Sequence, residues 1–253
     1  MPQLTDLADI RARLECDRPW AAFSLADLDP PHATHATWFG PSDGRAVVLR
    51  YGAYEPPIVM CHGDADACDA ELRDAELIAK TRRAYLNVMP ELMPMAMRQF
   101  RLFERRRMVR MLLDASRFAP AEARPALRLS SADLDDVRAL YAEEPPAFFL
   151  PAQLGDGVYF GVRDGGDLVA IAGTHVVSAA GRVGALGNVH TRSDRRREGL
   201  AADVASAVTG ELVRRGISTI VLNIVATNEA ARRVYERIGF REYCVYYEGI
   251  ATR

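Results

Sequence analysis

Gly187-Asn188-Val189-His190-Thr191-Arg192-Ser193-Asp194-Arg195-Arg196-Arg197-Glu198-Gly199-Leu200-Ala201 is the stretch on which the reading of the fold turns. The stretch from Val183 to Thr191 predicts a strand. A short charged loop follows it, and a helix opens at Gly199. Leu200, Val204, Val208 and Leu212 recur every four residues, which places them on one helical face, and Gly216 stops the helix. The first turn of a helix carries unpaired N–H groups and the positive end of the peptide dipoles, so it attracts anions. Gly199 and Ala201 lack bulk and let an anion reach the backbone. Three consecutive arginines, Arg195 to Arg197, add charge at the same opening. The physical reading is a pyrophosphate site.

Working outward, Thr219 to Val225 is almost wholly apolar, as a strand covered on both faces must be. Asn228 is placed to cap a last helix with Ala231, Val234, Tyr235 and Ile238 inward and Gly239 just past its end. Glu242 to Tyr247 predicts a closing strand. Upstream, Ser131 to Tyr141 predicts a helix with a serine cap. Glu143 to Pro151 is a Pro-containing loop. Val158 to Val162 and Leu168 to Val177 predict strands joined by the turn Asp164-Gly165-Gly166-Asp167.

Two motifs therefore stand in a fixed order, Arg196-x-x-Gly199-x-Ala201 and then Asn228-x-x-Ala231-x-x-x-Tyr235-x-x-x-Gly239-Phe240. Together they resemble the GNAT (GCN5-related N-acetyltransferase) superfamily, and the wider string is similar to FR47-like proteins and the C-terminal halves of glycine N-acyltransferase relatives. The resemblance covers roughly Leu127 to Ile250. It implies a GNAT fold: an α/β (α+β) chain with a mixed central sheet flanked by helices. It also implies acetyl-CoA, or another acyl-CoA, as co-substrate. Carried over by position, the donor site would be Val189, His190, Thr191, Arg196, Arg197, Glu198, Gly199, Leu200 and Ala201, with Asn228, Ala231 and Tyr235 from the last helix. Three positions depart from the pattern: Ser193 stands where proline is usual, Arg197 where glycine is usual, and Glu198 where a basic residue is usual.

The implied reaction is direct acyl transfer from the thioester to an amine. It needs a neutral amine, a polarised carbonyl and a proton for the departing thiolate. The strand ending at Thr191 would splay from the strand Thr219 to Val225, so that backbone groups near Val189 and Thr191 meet the donor. Tyr235 is the candidate proton donor to sulfur. The general base is not legible, since the strand Val183 to Thr191 holds no carboxylate. Glu143 is the candidate taken forward, ahead of Glu144, Glu248, His175 and His190.

The remainder bounds the partners. A net charge of -2 over 253 residues argues against nucleic acid. No apolar run approaches the length of a membrane span, and the first twenty residues carry charges throughout, so a cytoplasmic protein with no membrane partner is expected. The four cysteines form no CxxC pair, and Cys61-His62-x5-Cys68 matches no common zinc spacing, so no metal is expected. Phe118 to Arg128 holds two prolines and reads as a linker between two domains, 1–117 and 127–253. In the N-terminal half, strands are expected at Ala46 to Tyr51, Pro57 to Cys61, Ala84 to Val88 and Arg107 to Leu113. Helices are expected at Asp69 to Thr81 and Pro90 to Phe100. Its tail echoes the C-terminal half, with Tyr85-Leu86-Asn87-Val88 set against Val221-Leu222-Asn223-Ile224, and reads as a degenerate GNAT-like unit without a donor site. The expected partner is a small-molecule amine or amino-acid-like acceptor, and the expected state a monomer or homodimer. The alternative is a non-catalytic CoA-binding sensor or interaction module.

Overall fold

Glycine turns and short apolar runs divide the chain into many short elements. The computed structural model describes residues 3–73, 81–121 and 123–253. In chain order the first elements are β1 (Gln3–Leu4), α1 (Leu7–Leu14), α2 (Ala22–Ala26), β2 (Ala36–Phe39), β3 (Ala46–Tyr51), β4 (Ile58–Gly63), α3 (Ala65–Leu72), β5 (Arg83–Val88), α4 (Met93–Gln99) and β6 (Arg101–Leu113). There follow β7 (Leu127–Arg128), α5 (Leu134–Tyr141), α6 (Gln153–Asp156), β8 (Phe160–Asp164), β9 (Asp167–Ser178), β10 (Val183–Thr191), α7 (Leu200–Arg214), β11 (Thr219–Val225), α8 (Glu229–Ile238) and β12 (Phe240–Thr252).

The chain forms two compact units, Met111–Tyr243 and Met1–Arg110 with Cys244–Arg253. This corrects the expected division at 1–117 and 127–253. The last residues of the chain return to the first unit because Tyr247 to Thr252 pair antiparallel with Val88 to Arg83 of β5. The Pro-containing stretch read as a linker lies inside the second unit. There the Ala119 amide donates to the Ile238 carbonyl and the Ala121 amide to the Ser206 hydroxyl.

In the second unit the strand order is β11, β10, β9, β8, β7, with the end of β6 from Met111 on beside β11. The β8–β9 hairpin turns at Gly165 and Gly166, both with positive φ, and β10 runs antiparallel to β9. α7 then crosses back so that β11 lies parallel to β10, as a helical crossover requires. Leu200, Val204, Val208 and Leu212 of α7 are all buried, each contributing roughly 1.5–3 kcal/mol of apolar burial. A second cluster joins α5 and α6 to the sheet through Val137, Leu140, Tyr141, Leu154, Tyr159 and Ile171. The serine cap belongs to Ser130 and serves the 3-10 turn that leads into α5, whose own N-cap is Asp133. The Ser130 hydroxyl accepts from Ala132, and Asp133 answers to the Ser130 amide through a single 3-10 turn at Ser131–Asp133.

The first unit repeats the plan. Its order is β1, β2, β3, β4, β5, β12, with β3 antiparallel to β4 and α3 leading to a β5 parallel to β4. Phe39, Val48, Val59, Leu72, Leu86 and Met95 lie in its core. α3 begins at Ala65, earlier than the expected Asp69, because Asp64 caps it. The expected continuation to Thr81 falls partly outside the described residues. α1, α2, β2 and α6 are elements the sequence reading missed, each short and weakly periodic.

Candidate functional site

The site grows from the far end of β10. Parallel pairing with β11 runs from Val183 opposite Thr219 to Leu186 opposite Leu222. Beyond it both strands continue, β10 through Gly187–Thr191 and β11 through Asn223–Val225. On the other side β10 stays paired with β9, His190 facing Ile171 and Thr191 facing Ala170. The β10–β11 ladder thus ends at Leu186 and Leu222, short of Val189 and Thr191, where the splay is expected.

A bulge between Gly187 and His190 sets this edge, and Asn188 within it has φ 53. Asparagine tolerates the left-handed region better than most residues, and a polar knot holds it there. The Tyr141 hydroxyl donates to the Asn188 carbonyl at 2.6 Å. The Asn188 carboxamide donates to the Tyr159 hydroxyl at 2.7 Å and to Gln153 Oε1 at 3.2 Å. Burial pushes the Tyr141 phenol far up, so it stays a donor. Tyr141, Gln153 and Tyr159 were missed as site-shaping residues, because they come from α5, α6 and the residue before β8. Three buried polar atoms along the same strand end have no hydrogen-bond partner: Asn188 Oδ1, His190 Nε2 and Thr191 Oγ1. Buried polar groups are paired as a rule, so a water, an ion or a ligand is called for here.

The loop to α7 follows. Gly199 has φ 86 and is the N-cap of α7, with no side chain capping the helix. A Cβ built on Gly199 meets no atom within 4 Å. The opening is therefore clear, and the backbone there takes a conformation that other residues rarely adopt. Arg197 shares it at φ 71. Two arginines of the run have acidic partners. Arg195 pairs with Asp164 and with Glu198, the latter at 2.8 Å, and Arg196 pairs with Glu144 at 3.0 Å. Glu198, which stands where a basic residue is usual, pairs with Arg195 and, at 3.5 Å, with Arg124. The Arg195 guanidinium holds that carboxyl below its ordinary range. These exposed pairs shape the loop more than they stabilise it.

Asn228 caps α8 as expected, its side chain accepting from the Ala231 amide at 3.0 Å. Tyr235 is buried on α8 and meets Phe240 edge-on at 6.1 Å between ring centres. Burial pushes its phenol up to about 12, so it carries its proton at neutral pH. Leu200 is buried, Ala201 and Ala231 are half-buried, and Arg196 to Gly199 are exposed.

Glu143 reaches the same strand end from the loop after α5. Its Oε2 accepts from the Ser193 amide at 2.9 Å and its Oε1 from the Ser193 hydroxyl at 3.4 Å. The buried His190 Nε2 lies 3.7 Å from Glu143 Oε2. Ser193, where proline is usual, thereby supplies both an amide and a hydroxyl that proline lacks. The Cys61-His62-Cys68 set is core. Cys61 and Cys68 are buried, and His62 Nε2 lies 2.9 Å from the Ser24 hydroxyl. Among the described residues no group of three or more His, Cys, Asp or Glu gathers as for a metal, and no helix is long and apolar enough to cross a membrane.

Comparison with known proteins agrees with this geometry. The model of the FR47-like protein family matches residues 159–248. The chain is similar to the [ribosomal protein bS18]-alanine N-acetyltransferase of Escherichia coli K12, at 30% identity over 122 residues, which cover 45% of this chain and 80% of that enzyme. A Drosophila protein of solved structure matches at TM-score 0.75 and 17% identity, covering 100% of this chain and 98% of its own. A GNAT-family acetyltransferase structure from Novosphingobium aromaticivorans matches at TM-score 0.64 and 20% identity, covering 94% and 99%.

Proposed function

From the premise that this chain belongs to the GNAT superfamily of acetyltransferases, we propose that it is an acyl-CoA-dependent N-acyltransferase that moves an acetyl group to the amine of a small or amino-acid-like acceptor. The single observation that carries the reading is the coincidence of two features in one unit. One is the splayed end of β10, with three unpartnered buried polar atoms on it. The other is the open, uncapped, left-handed Gly199 one loop later.

In this reading the α7 amides and Gly199 receive the donor's pyrophosphate. The free edge at Val189 and Thr191 pairs with its amide groups, and one N–H polarises the thioester carbonyl. Arg196, Arg197, Glu198, Leu200 and Ala201 form the walls of that opening, and Asn228 and Ala231 the start of the flanking helix. The acceptor nitrogen attacks the carbonyl carbon, the C–S bond breaks, and Tyr235 gives its proton to the thiolate. The bS18-alanine relative supports an acceptor amine of amino-acid type. Two measurements test the proposal on the full chain: acetyl-CoA binding by calorimetry, and thiol release across a panel of amines. Binding at one per chain with acceptor-dependent thiol release is expected. Binding without release from any amine favours the sensor alternative, and no binding at all refutes the donor assignment.

A further inference from the structure

Direct acyl transfer leaves the amine's surplus proton without a receiver. We infer that His190 takes it, and that Glu143 is the positioning residue that orients the His190 ring; this rests on the acyltransferase reading. His190 follows the bulge on β10, one residue before Thr191, and is 8% exposed. Its Nε2 is sealed from solvent, has no hydrogen-bond partner, and faces the Glu143 carboxylate at 3.7 Å. A carboxylate against one ring nitrogen selects the tautomer that carries its proton there, and leaves the lone pair on the other nitrogen. Nδ1 is then the accepting atom. Glu143 is held in place by the Ser193 amide and hydroxyl and keeps lone pairs for the Nε2–H besides.

The groups around the ring fit this division of labour. From α5 comes Tyr141, whose ring centre lies 6.0 Å from that of His190 and whose hydroxyl is committed to the Asn188 carbonyl. The loop after α5 brings Glu143 and Glu144, and Glu144 is occupied by Arg196. After β10 come Arg192, held by Asp194 at 2.7 Å, and Arg196. The strand partner on β9 is the uncharged Ile171. Glu143 is thus the carboxylate nearest the ring that no arginine neutralises among these pairs.

The step balances. The nitrogen lone pair forms the C–N bond as the C–S pair leaves on sulfur. The amine's surplus proton passes to His190 Nδ1, sulfur takes the Tyr235 proton, and solvent then exchanges with both residues.

The experiment uses the full chain with acetyl-CoA and the best amine of the panel. His190→Ala should lower kcat on the order of 10²-fold or more, far beyond any loss of acetyl-CoA affinity, and added imidazole should restore part of the rate. Glu143→Gln should lower kcat with little change in acetyl-CoA affinity, and Glu143→Asp should recover part of it. His190→Asn serves as a second variant, its fold checked by circular dichroism. If folded His190→Ala and His190→Asn both turn over within threefold of the parent and ignore imidazole, the inference fails while acyl transfer stands. No thiol release from any amine by the parent chain overturns both.

Discussion

The two units carry the same strand–helix–strand device and finish it differently. In the second, β10 ends in an open edge and α7 starts at Gly199 with no capping side chain and empty space where a Cβ would be. In the first, β4 ends at Gly63, and Asp64 caps α3 by accepting from the Ala67 amide at 2.9 Å. A Cβ on Gly63 would meet the Arg45 carbonyl oxygen at 2.2 Å. The β4 edge is also filled from within. β4 pairs with β5 only through Ile58, Val59 and Met60, and the Trp20 indole donates to the Cys61 carbonyl at 3.2 Å just beyond. Arg110 in turn stacks over the Trp20 ring at 4.7 Å and donates to its carbonyl. One architecture thus ends in an open strand end or a sealed core, according to whether the chain's own side chains fill the space beyond the ladder.

The largest expected effect tests the sealed side. Trp20→Ala removes a side chain that is 3% exposed, and should cost about 3–5 kcal/mol in chemical denaturation. It should not create a second donor site, because Asp64 still occupies the helix start. A binding stoichiometry of two acetyl-CoA in a folded Trp20→Ala chain would break the comparison. Next comes the open side. Gly199→Val forces a branched residue into left-handed backbone and into the opening, and should weaken acetyl-CoA binding by at least on the order of 10²-fold, about 2.7 kcal/mol, by calorimetry. Unchanged affinity in a folded variant would remove Gly199 from the site.

Tyr235→Phe should lower turnover on the order of 10²-fold if proton delivery limits the rate, with donor affinity nearly unchanged. Its ring packing on Phe240 is kept, so stability should hardly move. Full activity would make Tyr235 a packing residue. The smallest effects sharpen the contrast between the two helix caps that do exist. Asp64→Ala and Asn228→Ala should each cost about 1 kcal/mol of stability. Only Asn228→Ala should also weaken acetyl-CoA binding, and equal loss of affinity in both variants would erase the distinction.

Much of this was legible in the chain. Val183–Thr191 and Thr219–Val225 are strands at the expected bounds, and α7 and α8 begin and end on the expected glycines and asparagine. Local chemistry decides these elements: an apolar run needs no partner to be recognised, and Gly199, Gly216 and Gly239 all take the positive φ that favours glycine. The order of the two motifs carried the family for the same reason, since each residue acts through its own backbone.

What only the tertiary structure decided depends on partners far apart in sequence. Asn188 holds its bulge because Tyr141, Gln153 and Tyr159 converge on it from other elements. The arginines of the loop were read as added charge, and the structure sets Asp164, Glu144 and Glu198 beside two of them. His190 was one residue among several candidates until Glu143 met its ring from across the loop. The end of the chain was assigned to the second domain by its position, but β5 draws it into the first. Strand edges and buried charges choose their partners by distance in space, and a period along the chain cannot encode that choice.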